Sequence, residues 1–96
     1  MELPDLNDVR IFVEAGRAGT LTAAAREMKL PTSTVSRALT RLEKHLGVLL
    51  VQRSRRGLVI TDFGREYLQT CRRAMRILKE GNELYLSRIA SARAVC

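Results

Sequence analysis

The 96-residue sequence predicts a mainly α chain with one small β-hairpin: a winged helix-turn-helix followed by a long linker (dimerisation) helix. Three observations predict it. Apolar residues recur at three- and four-residue steps through four segments. Two short β-branched runs, 48–53 and 57–61, come before the last of them, with arginines and a glycine in between. The charge is also localised. Residues 17–61 hold nine Lys/Arg against two Asp/Glu, whereas residues 1–16 carry net −3 and residues 62–96 net +3.

A first helix is expected over Leu6–Ala18, capped by Asp5 or Asn7 and stopped at Gly19, with Leu6, Val9, Phe12, Val13 and Gly16 on one face. Thr20 is the N-cap candidate for a short second helix, whose stripe is Leu21, Ala24, Ala25 and Met28. Its alanines let a neighbouring helix come close. Pro31 ends that pattern, because the residue before a proline avoids helical angles.

Thr32 is the best N-cap candidate for the third helix. At ~100° per residue, Leu39, Leu42 and Leu46 fall within about 40° of Val35. Ser33, Arg37, Thr40 and Lys44 gather at the opposite pole, flanked by Ser36 and Arg41. Glu43 lies near the apolar side, where an arginine partner is expected. Gly47 closes the helix in a left-handed cap. The hairpin then follows, with a basic tip at Arg53, Arg55 and Arg56. Thr61 caps a fourth helix that has Asp62 in its first turn and reaches Ser87 or beyond. Tyr67, Cys71, Ala74, Leu78, Tyr85 and Ile89 form a nearly heptad seam along it, which Gly81-Asn82 is expected to interrupt. An exposed seam of this kind calls for a second copy of the chain.

The helix-turn-helix spans about 21–40 and the wing about 49–61. Residues 1–61 thus make a DNA-binding domain, and residues 62–96 a linker helix with a C-terminal tail. A split third helix suits a groove. The apolar side fixes it to the domain, and short polar groups near its start allow close approach to base edges. Thr32, Ser33, Ser36, Arg37 and Thr40 fill that role. Arg37 suits bidentate contact with guanine, and Arg41 and Lys44 suit phosphate. A merely solvated helix face carries acids at four-residue steps from bases, and this pole carries none. Thr20 and Thr22 are placed to meet a phosphate at the start of the second helix, although a plain N-cap role serves Thr20 equally well. The hairpin arginines suit a minor groove or the phosphates along it.

The composition excludes other classes. Cys71 and Cys96 have no metal or redox spacing. Cys71 is expected to be buried, and Cys96 is terminal. His45, the one histidine, reads as a flank residue of its helix. No cofactor, no metal site and no small-molecule effector site is expected. Neither is an enzyme, since no nucleophile–base pair, paired carboxylates or phosphate loop can be assembled. No apolar run approaches a membrane span and no signal peptide precedes the acidic start, so the cytoplasm, in association with the nucleoid, is the expected compartment. A low-specificity architectural DNA-binding protein and a protein-interaction module remain as alternatives.

The stretches "FVEAGRAGTLTAAAREMKL", "STVSRALTRLEKHLGVLLVQR" and "ITDFG" resemble the N-terminal DNA-binding region of LysR-type transcriptional regulators, over roughly Leu6 to Tyr67. The residues that carry the resemblance are Ser36-Arg37, Leu42-Glu43, Leu46-Gly47, Arg53, Thr61 and Gly64. It implies a winged helix-turn-helix and a linker helix that pairs antiparallel with its copy. It also implies recognition of an interrupted inverted repeat in bacterial promoter DNA, with base and backbone contacts on Thr32, Ser33, Ser36, Arg37 and Arg53. The chain departs from the family pattern at Thr32-Ser33, where Gln-Pro is common, at Val51, where phenylalanine is usual, and at Phe63, where alanine is usual. The large effector-binding domain of the family has no counterpart in these residues, so a truncated form, a fragment or a stand-alone module is expected.

Overall fold

Helix α1 (Leu6–Ala18) starts where the Asp5 carboxylate accepts the backbone N–H of Asn7 at 2.8 Å. It stops at Gly19, whose φ of 83° is the left-handed conformation glycine adopts without a Cβ penalty. Helix α2 (Leu21–Met28) starts at Thr20, whose hydroxyl accepts the Ala23 N–H at 3.0 Å. Helix α3 (Thr32–Leu46) departs from expectation at its start. Its N-cap is Pro31, with Thr32 already inside the helix and no side chain capping it. The Pro31 carbonyl accepts the N–H groups of Thr34 and Val35, which leaves the Thr32 hydroxyl uncommitted to capping. Gly47 closes α3 in the left-handed region, as its position predicts. The computed structural model describes residues 2–55 and 57–95, without the side chains of Ala94 and Val95.

Strands β1 (Val51–Ser54) and β2 (Gly57–Ile60) pair antiparallel, in a register running from Val51 opposite Ile60 to Ser54 opposite Gly57. The expected first strand, 48–53, is thus shortened at its start. Leu50 is diverted from the ladder: its N–H goes to the Glu43 carboxylate and its carbonyl accepts the Thr61 N–H at 3.0 Å. The anticipated arginine partner of Glu43 is replaced by the backbone N–H groups of Leu50 and Val51. Arg53 stands inside β1 opposite Leu58 rather than at the tip. Arg56 and Cys96 lie outside the described residues.

Helix α4 (Asp62–Val95) begins at Thr61, whose hydroxyl accepts the Gly64 N–H at 2.9 Å. It runs through Gly81-Asn82 without the expected interruption. One glycine costs a helix about 1 kcal/mol, too little to end one flanked by Lys79-Glu80 and Leu84-Tyr85-Leu86.

The core lies where α1, α2 and α3 meet, closed by Leu50 and Val51 from the wing and by Leu68 and Cys71 from α4. Phe12, Ile11, Leu39, Leu42, Leu50 and Val35 are its largest fully buried side chains. The stripes of α2 and α3 face it as their spacing predicts, with Ala24 and Ala25 buried at the close approach. On α1 the buried side is Asp8, Val9, Ile11, Phe12 and Ala15, and Leu6 is exposed at the first turn.

Candidate nucleic-acid interface

Helix α3 is held on three sides. Its apolar side faces the core. One flank, Ser36–Thr40–Glu43, faces the wing. There Glu43 Oε2 accepts the N–H groups of Leu50 at 2.8 Å and Val51 at 3.3 Å. On the same flank the Arg53 guanidinium donates to the Ser36 carbonyl at 3.2 Å and to Thr40 Oγ1 at 3.3 Å. The opposite flank faces the N-terminal segment. Arg41 makes a two-pronged contact with Asp8, at 3.1 and 2.9 Å, and His45 Nε2 lies 2.9 Å from the Glu2 carbonyl. Asp8 is only 3% exposed, so Arg41 neutralises a buried carboxylate. That hydrogen bond and charge push the Arg41 guanidinium above its ordinary pKa. The sequence assigns Arg41 to phosphate; in the structure its guanidinium is committed to Asp8 of α1 while its side chain stays 57% exposed.

What remains is a narrow outer strip. Ser33, Arg37 and Lys44 are exposed along it, with Thr32 exposed at its N-terminal end. Among the described residues, the side chains of Arg37 and Lys44 form no ion pair, and no acid lies between them on the strip. A cation left in water beside short hydroxyl groups is available to a polyanion.

A cleft of about 410 Å³ opens where the start of α2, the start of α3 and the wing converge, lined by Thr20, Thr22, Thr32, Arg53, Ser54 and Arg55, among others. Thr20 is used as the α2 cap, whereas Thr22 stays exposed. Exposed Arg55 follows β1 at the rim. The wing is placed over the cleft by its backbone: the Leu58 N–H donates to the Gly19 carbonyl at 3.1 Å. Gly57, at φ 116°, passes so close that a Cβ would stand 3.0 Å from that same oxygen.

Two of the residues that hold α3 in place do so through partners the sequence does not assign: Asp8 has no expected role, and Glu43 is expected to pair with an arginine. Asp8 shares the α1 stripe with Ile11, Phe12 and Ala15, and a carboxylate in an apolar stripe signals a buried partner. Glu43 has no basic residue three or four positions away, so its partner has to be tertiary.

The expected α4 seam divides in two. Cys71 is buried and Tyr67 half-buried in the chain's own core, where Tyr67 stacks on Phe12 with centroids 6.1 Å apart. The other four positions, Ala74, Leu78, Tyr85 and Ile89, are exposed. With Ile77 and Leu84, they form a stripe about 140° wide at ~100° per residue.

Comparison with known proteins gives a consistent picture. Residues 6–65 match the family described as bacterial regulatory helix-turn-helix proteins of the lysR family. An HTH-type transcriptional regulator of Xanthomonas campestris pv. campestris is 42% identical over 76 residues, 79% of this chain and 22% of that protein. The chain spans about a quarter of the length of the curated relatives it matches. Among solved structures, the CbnR DBD–DNA complex superposes with a TM-score of 0.80 at 29% identity, covering 91% of this chain and 98% of that one. The BenM DBD/catB site 1 DNA complex superposes with a TM-score of 0.82 at 26% identity, covering 93% and 95%.

Proposed function

The chain belongs to the LysR family of bacterial helix-turn-helix regulators, and from that premise we propose that it is a DNA-binding region that reads double-stranded DNA by sequence and so regulates transcription. The observation that carries this reading is the outer strip of α3: cationic, rich in hydroxyls, free of acids, and left exposed while both flanks are tied down. Helix α3 enters the major groove with its N-terminal turns leading. Arg37 pairs with a guanine edge in bidentate fashion, a contact worth ~1–3 kcal/mol of discrimination. Thr32, Ser33 and Ser36 present hydroxyls to neighbouring bases. Lys44, Arg55 and Thr22 take phosphates, which fix position without reading sequence.

The exposed stripe of α4 pairs with the same stripe of a second copy. A two-fold pair places two α3 helices on two half-sites, so the target is an interrupted inverted repeat in a promoter. Residues 1–61 form the DNA-binding domain of this reading and residues 62–96 the linker helix. Among the described residues no helix is long and apolar enough to cross a membrane. The relatives are named as transcriptional regulators, and the proposed role is non-enzymatic, in the cytoplasm with the nucleoid.

The experiment is selection of duplexes from a random pool, followed by fluorescence anisotropy across a salt series on a selected duplex and on a scrambled duplex of the same composition. Log affinity is expected to fall with log salt at about −0.9 per neutralised phosphate. Arg37→Ala erases the preference for the selected duplex, while Arg55→Ala weakens both duplexes alike. Equal affinity for both duplexes in the unmodified chain would instead mark an architectural protein.

A further inference from the structure

The Arg53 contacts go beyond this reading, and they rest on it. We infer that Arg53 is a positioning residue: it clips the wing to α3 and takes Thr40 out of base reading.

A hydroxyl has one donor and two acceptor sites. The Thr40 hydroxyl donates to the Ser36 carbonyl at 3.1 Å, and its oxygen accepts the Arg53 guanidinium at 3.3 Å. No proton is left for the acceptor-rich edge of a guanine. The same guanidinium reaches the Ser36 carbonyl, so three residues of two elements close into one knot. Glu43 fixes the other end of β1, through Leu50 and Val51. Strand β1 is therefore fastened to one flank of α3 at two points. Two fastenings define an angle where one allows a pivot. The wing and the groove-reading helix thus meet DNA as a single rigid body, with the distance from Arg37 to Arg55 set beforehand. Discrimination between sequences needs that fixed distance, whereas neutralising phosphates does not.

Arg53→Ala, Thr40→Val, their double variant and Thr40→Ser separate the alternatives. On the selected duplex and its scrambled counterpart, Arg53→Ala and Thr40→Val are each expected to lower the affinity ratio about tenfold. The double variant loses no more than either single one, as for two groups in one contact. Thr40→Ser keeps the hydroxyl and the ratio. The salt slope of Arg53→Ala stays at the unmodified value. A slope flattened by about 0.9 in Arg53→Ala, with Thr40→Val silent, would make Arg53 a phosphate contact and overturn the proposal.

A second measurement needs no DNA. Backbone amide hydrogen exchange over Gly57–Ile60 should quicken equally in Arg53→Ala and Thr40→Val and stay unchanged in Thr40→Ser. Unchanged exchange in all three sinks the clip. If the unmodified chain binds no duplex, the DNA reading fails and this arm still decides the clip. Thr40→Val is close in shape to the native side chain and carries the test should Arg53→Ala fail to fold.

Discussion

The Glu43 carboxylate accepts the backbone N–H of Leu50 at 2.8 Å, so the last turns of α3 dictate where the wing begins. Leu50 is fully buried, and an N–H in that place has no water to turn to. Glu43→Ala orphans it and is expected to cost ~1–3 kcal/mol. Glu43→Gln keeps an acceptor and loses less. Urea unfolding of the two variants ranks them. Equal losses would mean that the carboxylate matters only through its charge.

The Asp8–Arg41 pair is asymmetric, and its two halves are not equivalent to remove. Arg41→Ala leaves a buried carboxylate alone, whereas a combined Asp8→Asn, Arg41→Ala change leaves a neutral amide. The single Arg41→Ala variant is expected to melt several degrees below the unmodified chain, and the double variant to regain part of that loss. Differential scanning calorimetry checks the order. An additive double variant would show that the two side chains do not act on each other.

The arrangement of the elements is legible in the sequence because it depends on local chemistry. Asp5, Thr20, Gly47 and Thr61 act at the boundaries where their residue types belong, and the stripes of α2 and α3 meet the core. What local chemistry leaves open are choices between elements. Whether Arg41 turns to phosphate or to α1 depends on Asp8, 33 positions away. Whether Leu50 joins a strand depends on Glu43, which takes its N–H, and on Thr61, which takes its carbonyl. Tyr67 and Cys71 fit a heptad as well as any seam residue, and only the course of α4 past Phe12 assigns them to the core. Helix periodicity shows that a face is apolar. It leaves open whether that face meets its own chain or another.

Two helical glycines offer a contrast in packing. A Cβ on Gly64 would stand 2.1 Å from the Leu50 carbonyl oxygen, and backbone cannot step aside. Gly64→Ala is expected to destabilise by ~1–3 kcal/mol or more, because α4 has to lift off the wing. At Gly16 the nearest atom is Leu68 Cδ2, at 2.8 Å, the end of a side chain that can rotate. The helix gains up to ~1 kcal/mol from alanine, so Gly16→Ala should come out near neutral. Chemical denaturation of both variants tests the difference.

Alkaline stability follows from the α1–α4 contact. Burial pushes the Cys71 thiol above its ordinary value of about 9, with a hydrogen bond from Tyr67 pulling weakly the other way. Burial, then the neighbouring thiol, pushes the Tyr67 phenol above about 10. Between the ordinary and the raised values the folded chain keeps protons that the unfolded chain has shed, so stability falls as pH rises. The contribution is whole below about pH 9. Denaturation midpoints should be flat on this account up to there and decline beyond, and Cys71→Ala should lessen the decline. A midpoint that climbs through that range would reverse the sign.

The hydrogen bond from Leu58 to Gly19 also bears on the order of folding. A two-stranded ladder of four residue pairs is marginal on its own. This one gains its footing from a carbonyl at the α1–α2 corner, and that corner exists only after the helices have condensed. The wing therefore forms late on the folding path and opens early on the reverse one, with φ-values near zero along β1 and β2 and higher ones along α1 to α3. A nascent chain leaving the ribosome acquires α3 first, and the wing fastened to its flank only afterwards.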